Sequence, residues 1–242
     1  MKIALIGYGK MGHAVEQVAL HRGHTIALAI DSPDDWSLQA DHLNTCDVAI
    51  EFSMPDVAPV NIRRCLAAGI PTVSGTTGWY SQLDAIKSEC ADLNGTLFVA
   101  SNFSIGMNIV FALNRTLARL SAHLGSYHTS INETHHIHKL DAPSGTAIQL
   151  ANDIIAQHSS GSWFLVSDDD SSTHNSSDIP IRSLRIGEVP GVHEVVYDGQ
   201  FDTITLSHSA KSRTGLAQGA VLAAEFIKGK KGFFSMDDLL AL

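Results

Sequence analysis

The sequence predicts an α/β protein: a doubly wound parallel sheet, interrupted by an inserted α+β module that carries an open, largely antiparallel sheet. Three observations predict it. Short runs of Val, Ile, Leu and Ala alternate with helix-length stretches over the first hundred residues, a glycine-rich turn follows the first run, and strand-like segments separated by turn residues dominate beyond residue 124.

The runs KIALI, TIALAI, DVAIEF, PTVSG and TLFVAS are apolar on both faces, as strands are when crossover helices cover a parallel sheet. A helix is expected from Gly9 to His21, and the doubly wound part extends from residue 1 to about 104. From Ser104 to Leu124, apolar residues at 105, 109, 113, 117, 120 and 124 predict a long helix leading into the second module. There SYHTSINET reads as a strand and Thr146 to Gln157 as a helix. RSLRIGEV, HEVVYD and FDTITLSH follow as strands suited to antiparallel pairing, with Asp198-Gly199 as a hairpin turn. The Ser/Asp-rich segment Gln157 to Asp178 offers little to pack and is expected to be a mobile surface loop. Leu216 to Lys228 forms a helical pattern closed by Gly229, and it is expected to return to the first domain. The expected division is therefore 1–104 with 214–242, and 105–213.

Bulk composition narrows the function. At 242 residues and 44% hydrophobic the chain buries a real core as one large or two modest domains. A net charge of −9 without any Lys/Arg run excludes the electrostatic footprint of a nucleic-acid or anionic-membrane binder. Three dispersed cysteines, never in C-x-x-C, argue against a disulfide framework or a structural zinc site and fit a reducing cytoplasm. The first apolar run is too short for a signal-peptide core or a membrane span, so the mature chain is expected to start at Met1.

Gly7-Tyr8-Gly9-Lys10-Met11-Gly12 is a G-x-G-x-x-G between a strand and a helix, and Asp31 ends the next strand nineteen residues past Gly12. The glycines let backbone approach a pyrophosphate, the helix N-terminus offers unpaired N–H groups, and Asp31 accepts from ribose hydroxyls, the Rossmann arrangement. A tight turn with no ligand is the bland reading of the same residues. Ser32 follows Asp31, so no arginine stands ready for a 2′-phosphate: NADH is expected to be preferred, with NADPH possible through a cation such as Lys10. Later breaks after apolar runs, at Phe52-Ser53, Gly75-Thr76-Thr77-Gly78 and Ala100-Ser101-Asn102-Phe103, suit close contact with the same cofactor or are ordinary turns.

The stretch ETHHIHKLDAPSGTA, Glu133 to Ala147, gathers His135, His136, His138 and Lys139 in an acidic protein. Metal binding is one reading, opposed by the lack of a completing ligand and by the nearby ammonium, so no metal is expected. A solvated polar loop is a second. The third is a site for a small dicarboxylate: a bend at Asp141-Ala142-Pro143 brings the cations beside a helix whose N-cap is Ser144 and whose Gly145 and Thr146 N–H groups face the anion.

With GxGxMG near the start, GTTG after a strand and A-x-NFS-x-G-x-N before the long helix, E-x-HH-x-HK-x-DAPSGTA resembles the dihydrodipicolinate reductase family over residues 3 to about 228, most weakly at 32–47 and 158–180. The resemblance implies reduction of a cyclic imine dicarboxylate, 4-hydroxy-tetrahydrodipicolinate after loss of water, by a nicotinamide cofactor in lysine and diaminopimelate synthesis. It also implies His135 as proton donor, Lys139 as its partner, and His136 with the Gly145-Thr146 backbone on the substrate carboxylates. The cofactor positions become Gly7 through Gly12, Asp31, Gly75 to Thr77 and Ala100 to Phe103. A homotetramer built through the second domain's sheet is implied as well. The cofactor half alone also fits another amino-acid or semialdehyde dehydrogenase, or a sensor of nicotinamide cofactors without turnover.

Overall fold

The computed structural model describes residues 1–122, 127–158, 161–167 and 175–242. In chain order the elements are β1 (Lys2–Ile6), α1 (Lys10–His21), β2 (Thr25–Ile30), α2 (Pro33–Gln39), β3 (Val48–Glu51), α3 (Ala58–Ala67), β4 (Thr72–Ser74), α4 (Leu83–Asp92), β5 (Thr96–Val99), α5 (Ile105–Ala122) and β6 (Tyr127–His135). After them come α6 (Gly145–Ile155), β7 (Trp163–Leu165), β8 (Ile179–Arg185), β9 (Val192–Gly199), β10 (Thr203–Ser209), α7 (Thr214–Ile227), β11 (Gly232–Phe234) and α8 (Met236–Leu240). The chain divides into two compact units, 1–105 with 213–242, and 106–212.

The first unit is a six-stranded, all-parallel sheet in the order β11-β5-β4-β3-β1-β2. Its strands are buried throughout β3, β4 and β5, as the unbroken apolar runs require when both faces are covered. One face packs α1 and α7 through Val15, Ala19, Ala217, Ala220, Ala223 and Ala224 against Ile3, Leu5 and Val73. Small residues on α7 let it come close: a side chain at Gly219 would place Cβ 1.7 Å from the Phe103 carbonyl oxygen.

The second unit is a mixed sheet, β10-β9-β6-β8-β7, with α5 and α6 supplying Met107, Phe111, Leu150 and Ile154 to its core. Strand pattern suggested a largely antiparallel sheet. The ladders β10·β9 and β9·β6 are antiparallel, but β6·β8 and β8·β7 are parallel. The reason lies in the connection: the chain leaves β6 through α6, a crossover, and returns to pair in the same direction. The strand expected at RSLRIGEV starts earlier, at Ile179, and ends at Arg185. The hairpin turn is displaced too. Asp198 pairs with Thr203 inside the ladder and accepts its hydroxyl at 2.7 Å, so the reversal falls at Gln200-Phe201, closed by Gly199 N–H to the Asp202 carbonyl. Of the Ser/Asp-rich segment, residues 159–160 and 168–174 lie outside the described residues, as do 123–126 at the expected end of the long helix.

Candidate active site

In the first unit all strands of the sheet are parallel, so the loops leaving β1, β3, β4 and β5 collect along one edge, where such sheets bind ligands. Gly7 turns the chain there with φ of +89°, and a Cβ on it would lie 2.1 Å from the Phe52 carbonyl oxygen. Gly9, in contrast, faces open space, with nothing within 4 Å of a would-be Cβ. Backbone N–H groups at the start of α1 are thereby left approachable by a phosphate. Asp31, just past β2, accepts the Tyr8 N–H at 2.6 Å and lies on the wall of a cavity of about 410 Å³. Gly7, Gly9, Asp31, Ser32, Trp36 and Arg64 are among its lining residues. That size and the mix of apolar wall and few polar groups suit a nucleoside. The residues fit a nicotinamide dinucleotide, whose pyrophosphate the Gly7–Gly12 turn would hold and whose ribose Asp31 would hold.

The other positions singled out for the cofactor sit differently. Lys10 is exposed at the head of α1 and Met11 half-buried; neither lines the cavity. Gly75 packs against the Phe52 ring, Thr77 and Ser101 are exposed, Asn102 Oδ1 accepts the Ser104 N–H, and Ala100 and Phe103 are buried in the core. Thr76 is buried as well. Its hydroxyl donates to Glu51, a fully buried carboxylate that also accepts from Ser53 and Ser74 and so ties the β3 and β4 loops together. That knot was missed in the sequence, although Glu at the end of an otherwise apolar strand was the signal. Arg64 was missed too: its guanidinium stands 4.9 Å over the Trp36 ring, brought from α3 by the fold alone.

In the second unit the core face of the sheet carries apolar residues at one end and ionisable ones at the other. Along β6 this face reads Ile131, Glu133, His135; on β8 it reads Ile181, Ser183, Arg185; on β9, Val195 and His193. Cross-strand register sets Glu133 opposite His193 and His135 opposite Arg185. The pattern of alternation thus runs out of the hydrophobic core directly into a polar site.

Glu133 is its centre, with 1% of its surface exposed. Its Oε2 lies 2.5 Å from His135 Nδ1, and its Oε1 accepts from Arg185 at 3.0 Å and from the Ser144 N–H at 3.1 Å. Burial pushes the Glu133 carboxyl up, but the contacts from His135 and Arg185 outweigh it and hold the group well below the ordinary carboxylate range. His193 packs edge-on to His135, ring centroids 5.0 Å apart, with its Nε2 3.1 Å from the Ser144 hydroxyl. Burial, then the neighbouring His135 charge, pushes His193 down to about 3, so it stays neutral.

Ser144 accepts the Ala147 N–H at 3.2 Å as N-cap of α6, while Gly145 and Thr146 open the helix, the former exposed. The chain first turns at Ile137-His138, where Lys139 N–H returns to the His136 carbonyl after β6 has ended at His135, and then bends at Ala142-Pro143 as the proline suggested. Arg185 then pins the loop by donating to the Lys139 and Asp141 carbonyls. His136 is half-buried beside His138, and the Lys139 ammonium lies 2.8 Å from Asp141 on the same loop. Ligand atoms of Glu133, His135 and His193 also fall within 4.8 Å of one another, close enough for a metal. Glu133 is already bound by a guanidinium, however, which opposes a second cation at the same carboxylate.

The parallel sheet with its glycine turn in the first unit, and the buried histidines beside a capped helix terminus in the second, fit the class of nicotinamide-dependent oxidoreductases. Residues 1–103 match the description "Dihydrodipicolinate reductase, N-terminus" and residues 106–240 match "Dihydrodipicolinate reductase, C-terminus". The chain belongs to the dihydrodipicolinate reductase family. It is 43% identical to a 4-hydroxy-tetrahydrodipicolinate reductase of Christiangramia forsetii over all of this chain and 98% of that one. A 4-hydroxy-tetrahydrodipicolinate reductase of Methanopyrus kandleri is 35% identical over 80% of this chain and 71% of its own length. Among solved structures, a dipicolinate-bound dihydrodipicolinate reductase from Paenisporosarcina sp. TG-14 shares the fold with a TM-score of 0.73, at 22% identity and 97% coverage of both chains.

Proposed function

We infer that the chain reduces 4-hydroxy-tetrahydrodipicolinate to tetrahydrodipicolinate with NAD(P)H, in lysine and diaminopimelate synthesis. The observation that carries this reading is the meeting, at one end of β6, of His135, the Lys139 loop and the capped N-terminus of α6. Two cationic or titratable groups and a helix dipole around one spot match a small dicarboxylate. When bound, NAD(P)H supplies the hydride that the ring accepts once its hydroxyl has left as water. The chain's own residues do the rest. The N–H groups of Gly145 and Thr146, with His136, hold one carboxylate and fix the ring's orientation. Lys139 exchanges its Asp141 partner for substrate and stabilises negative charge. His135 delivers the proton that balances the arriving electron pair, as a positioned imidazole can.

NADH is the preferred cofactor on this reading, because Asp31 and the Ser32 cap, itself bound to Asp35, present carboxylates beside the ribose position. Arg64 gives NADPH a weaker foothold. The protein acts in the cytoplasm; no described helix is long and apolar enough to cross a membrane. A homotetramer would form through the second unit's sheet, whose helices lie on one face and leave Ser130, Asn132, Glu194 and Val196 on the other. Absorbance at the NADH band should fall when the cyclic substrate is added, faster with NADH than with NADPH. No consumption of either cofactor would defeat the reading, and light scattering of the purified chain checks the tetramer.

A further inference from the structure

We propose that Glu133 is a positioning residue for the reaction: through one oxygen it holds the His135 ring with Nδ1 inward and Nε2 as the working nitrogen, and through the other it locks that ring to the substrate-holding end of α6. The inference rests on His135 as proton donor. Its support is the bonding pattern. His135 Nδ1 and Glu133 Oε2 form a close ion-pair contact, 2.5 Å apart and both buried. The second oxygen is shared by the Ser144 N–H and Arg185, and Arg185 in turn holds the loop carbonyls of Lys139 and Asp141. One carboxylate thus connects the imidazole, the first turn of α6 and the lysine loop, three parts that the chemistry needs in fixed relation.

The opposite edge of the ring is left clear by Gly191. A Cβ there would come 3.1 Å from His135 Nε2, and the residue has φ of +155°. The ring nitrogen held by a carboxylate carries the proton in the neutral ring, which leaves the other to give and take protons with a ligand. His193 fills the side of the ring and is itself tied to the Ser144 hydroxyl, so the imidazole has no second place to turn.

The test is Glu133→Gln. Glutamine keeps the oxygen that serves Ser144 and Arg185, but it turns an amide donor toward Nδ1 and removes the charge. The expected result is a kcat lower by about 10- to 100-fold with substrate KM within about threefold and NADH binding, read by fluorescence titration, unchanged. In alkaline buffer, ¹⁵N-resolved imidazole spectra should show His135 protonated on Nδ1 in the wild type and shifted toward Nε2 in the variant. A variant with wild-type kcat, or a wild-type ring protonated on Nε2, overturns the proposal. Should Glu133→Gln not fold, the wild-type spectrum alone decides, with Nδ1–H in support and Nε2–H against. If the wild type consumes no cofactor, the reading of the reaction has failed, and the spectrum still reports on the ring independently.

Discussion

His135 and Lys139 carry different burdens, and kinetics should separate them. His135 is buried at a strand end with its ring fixed, so His135→Gln is expected to lower kcat by on the order of 10²- to 10⁴-fold while substrate KM stays nearly constant, as measured in the steady state. Lys139 sits on the loop and bonds Asp141, so Lys139→Ala should raise KM about tenfold and lower kcat as well; an unchanged KM would remove it from the carboxylate. Both residues stood out in the sequence because the motif ETHHIHK concentrates charge. Glu133 opens that motif but drew no role of its own, and Arg185 and His193 did not stand out because they lie on two other strands. Their signal was the interruption of an alternating apolar row, Ile131 then Glu133, and Ile181 then Ser183 and Arg185. Such an interruption marks a buried polar site only when the strands are known to be neighbours.

At the scale of elements, close approach is decided by small residues. Helix α7 lies on the parallel sheet with Ala217, Ala220, Ala223 and Ala224 wholly buried, and Gly219 against the Phe103 carbonyl. Gly219→Ala would force Cβ into that oxygen, so the helix must move. The expected cost is about 3 kcal/mol, seen as a lower urea midpoint with weakened NADH binding. Most elements were legible from hydrophobic period: β1 to β5, α1, α5, α6 and α7 fall where apolar spacing placed them, within a few residues. Those not foreseen were short or unpatterned, such as β7 and β11, each three residues long and stabilised by a neighbouring strand already in place. Parallel pairing of β6 with β8 was hidden for another reason. A strand's own residues carry little information about the direction of its partner; the crossover through α6 sets it.

Across the whole molecule, the buried ionisable groups of the second unit set its response to acid. His193 falls from its ordinary 6.5 to about 3 in the folded protein, so the unfolded chain binds more protons between those values. Stability from this group is complete above about pH 6.5 and is lost progressively as pH falls toward 3. Glu133 acts in the same direction at lower pH, because its carboxyl is held below the ordinary 4.5. Thermal midpoints followed by circular dichroism should therefore decline on acidification from pH 6.5, and His193→Gln should flatten the upper part of that decline. An equal slope in the variant would show that His193 does not control it.

The chain's own order of residues determined the dinucleotide turn, the apolar strands, the capped helix after Pro143 and the cationic motif, since each depends on neighbours a few positions away. Tertiary structure alone decided that Arg64 overlooks Trp36, that Glu51 knots two loops, and that Glu133, Arg185, His193 and Ser144 surround His135. The physical reason is distance along the chain. Period and capping are local properties, whereas a buried carboxylate is tolerated only where partners 11 and 52 residues away arrive to satisfy it.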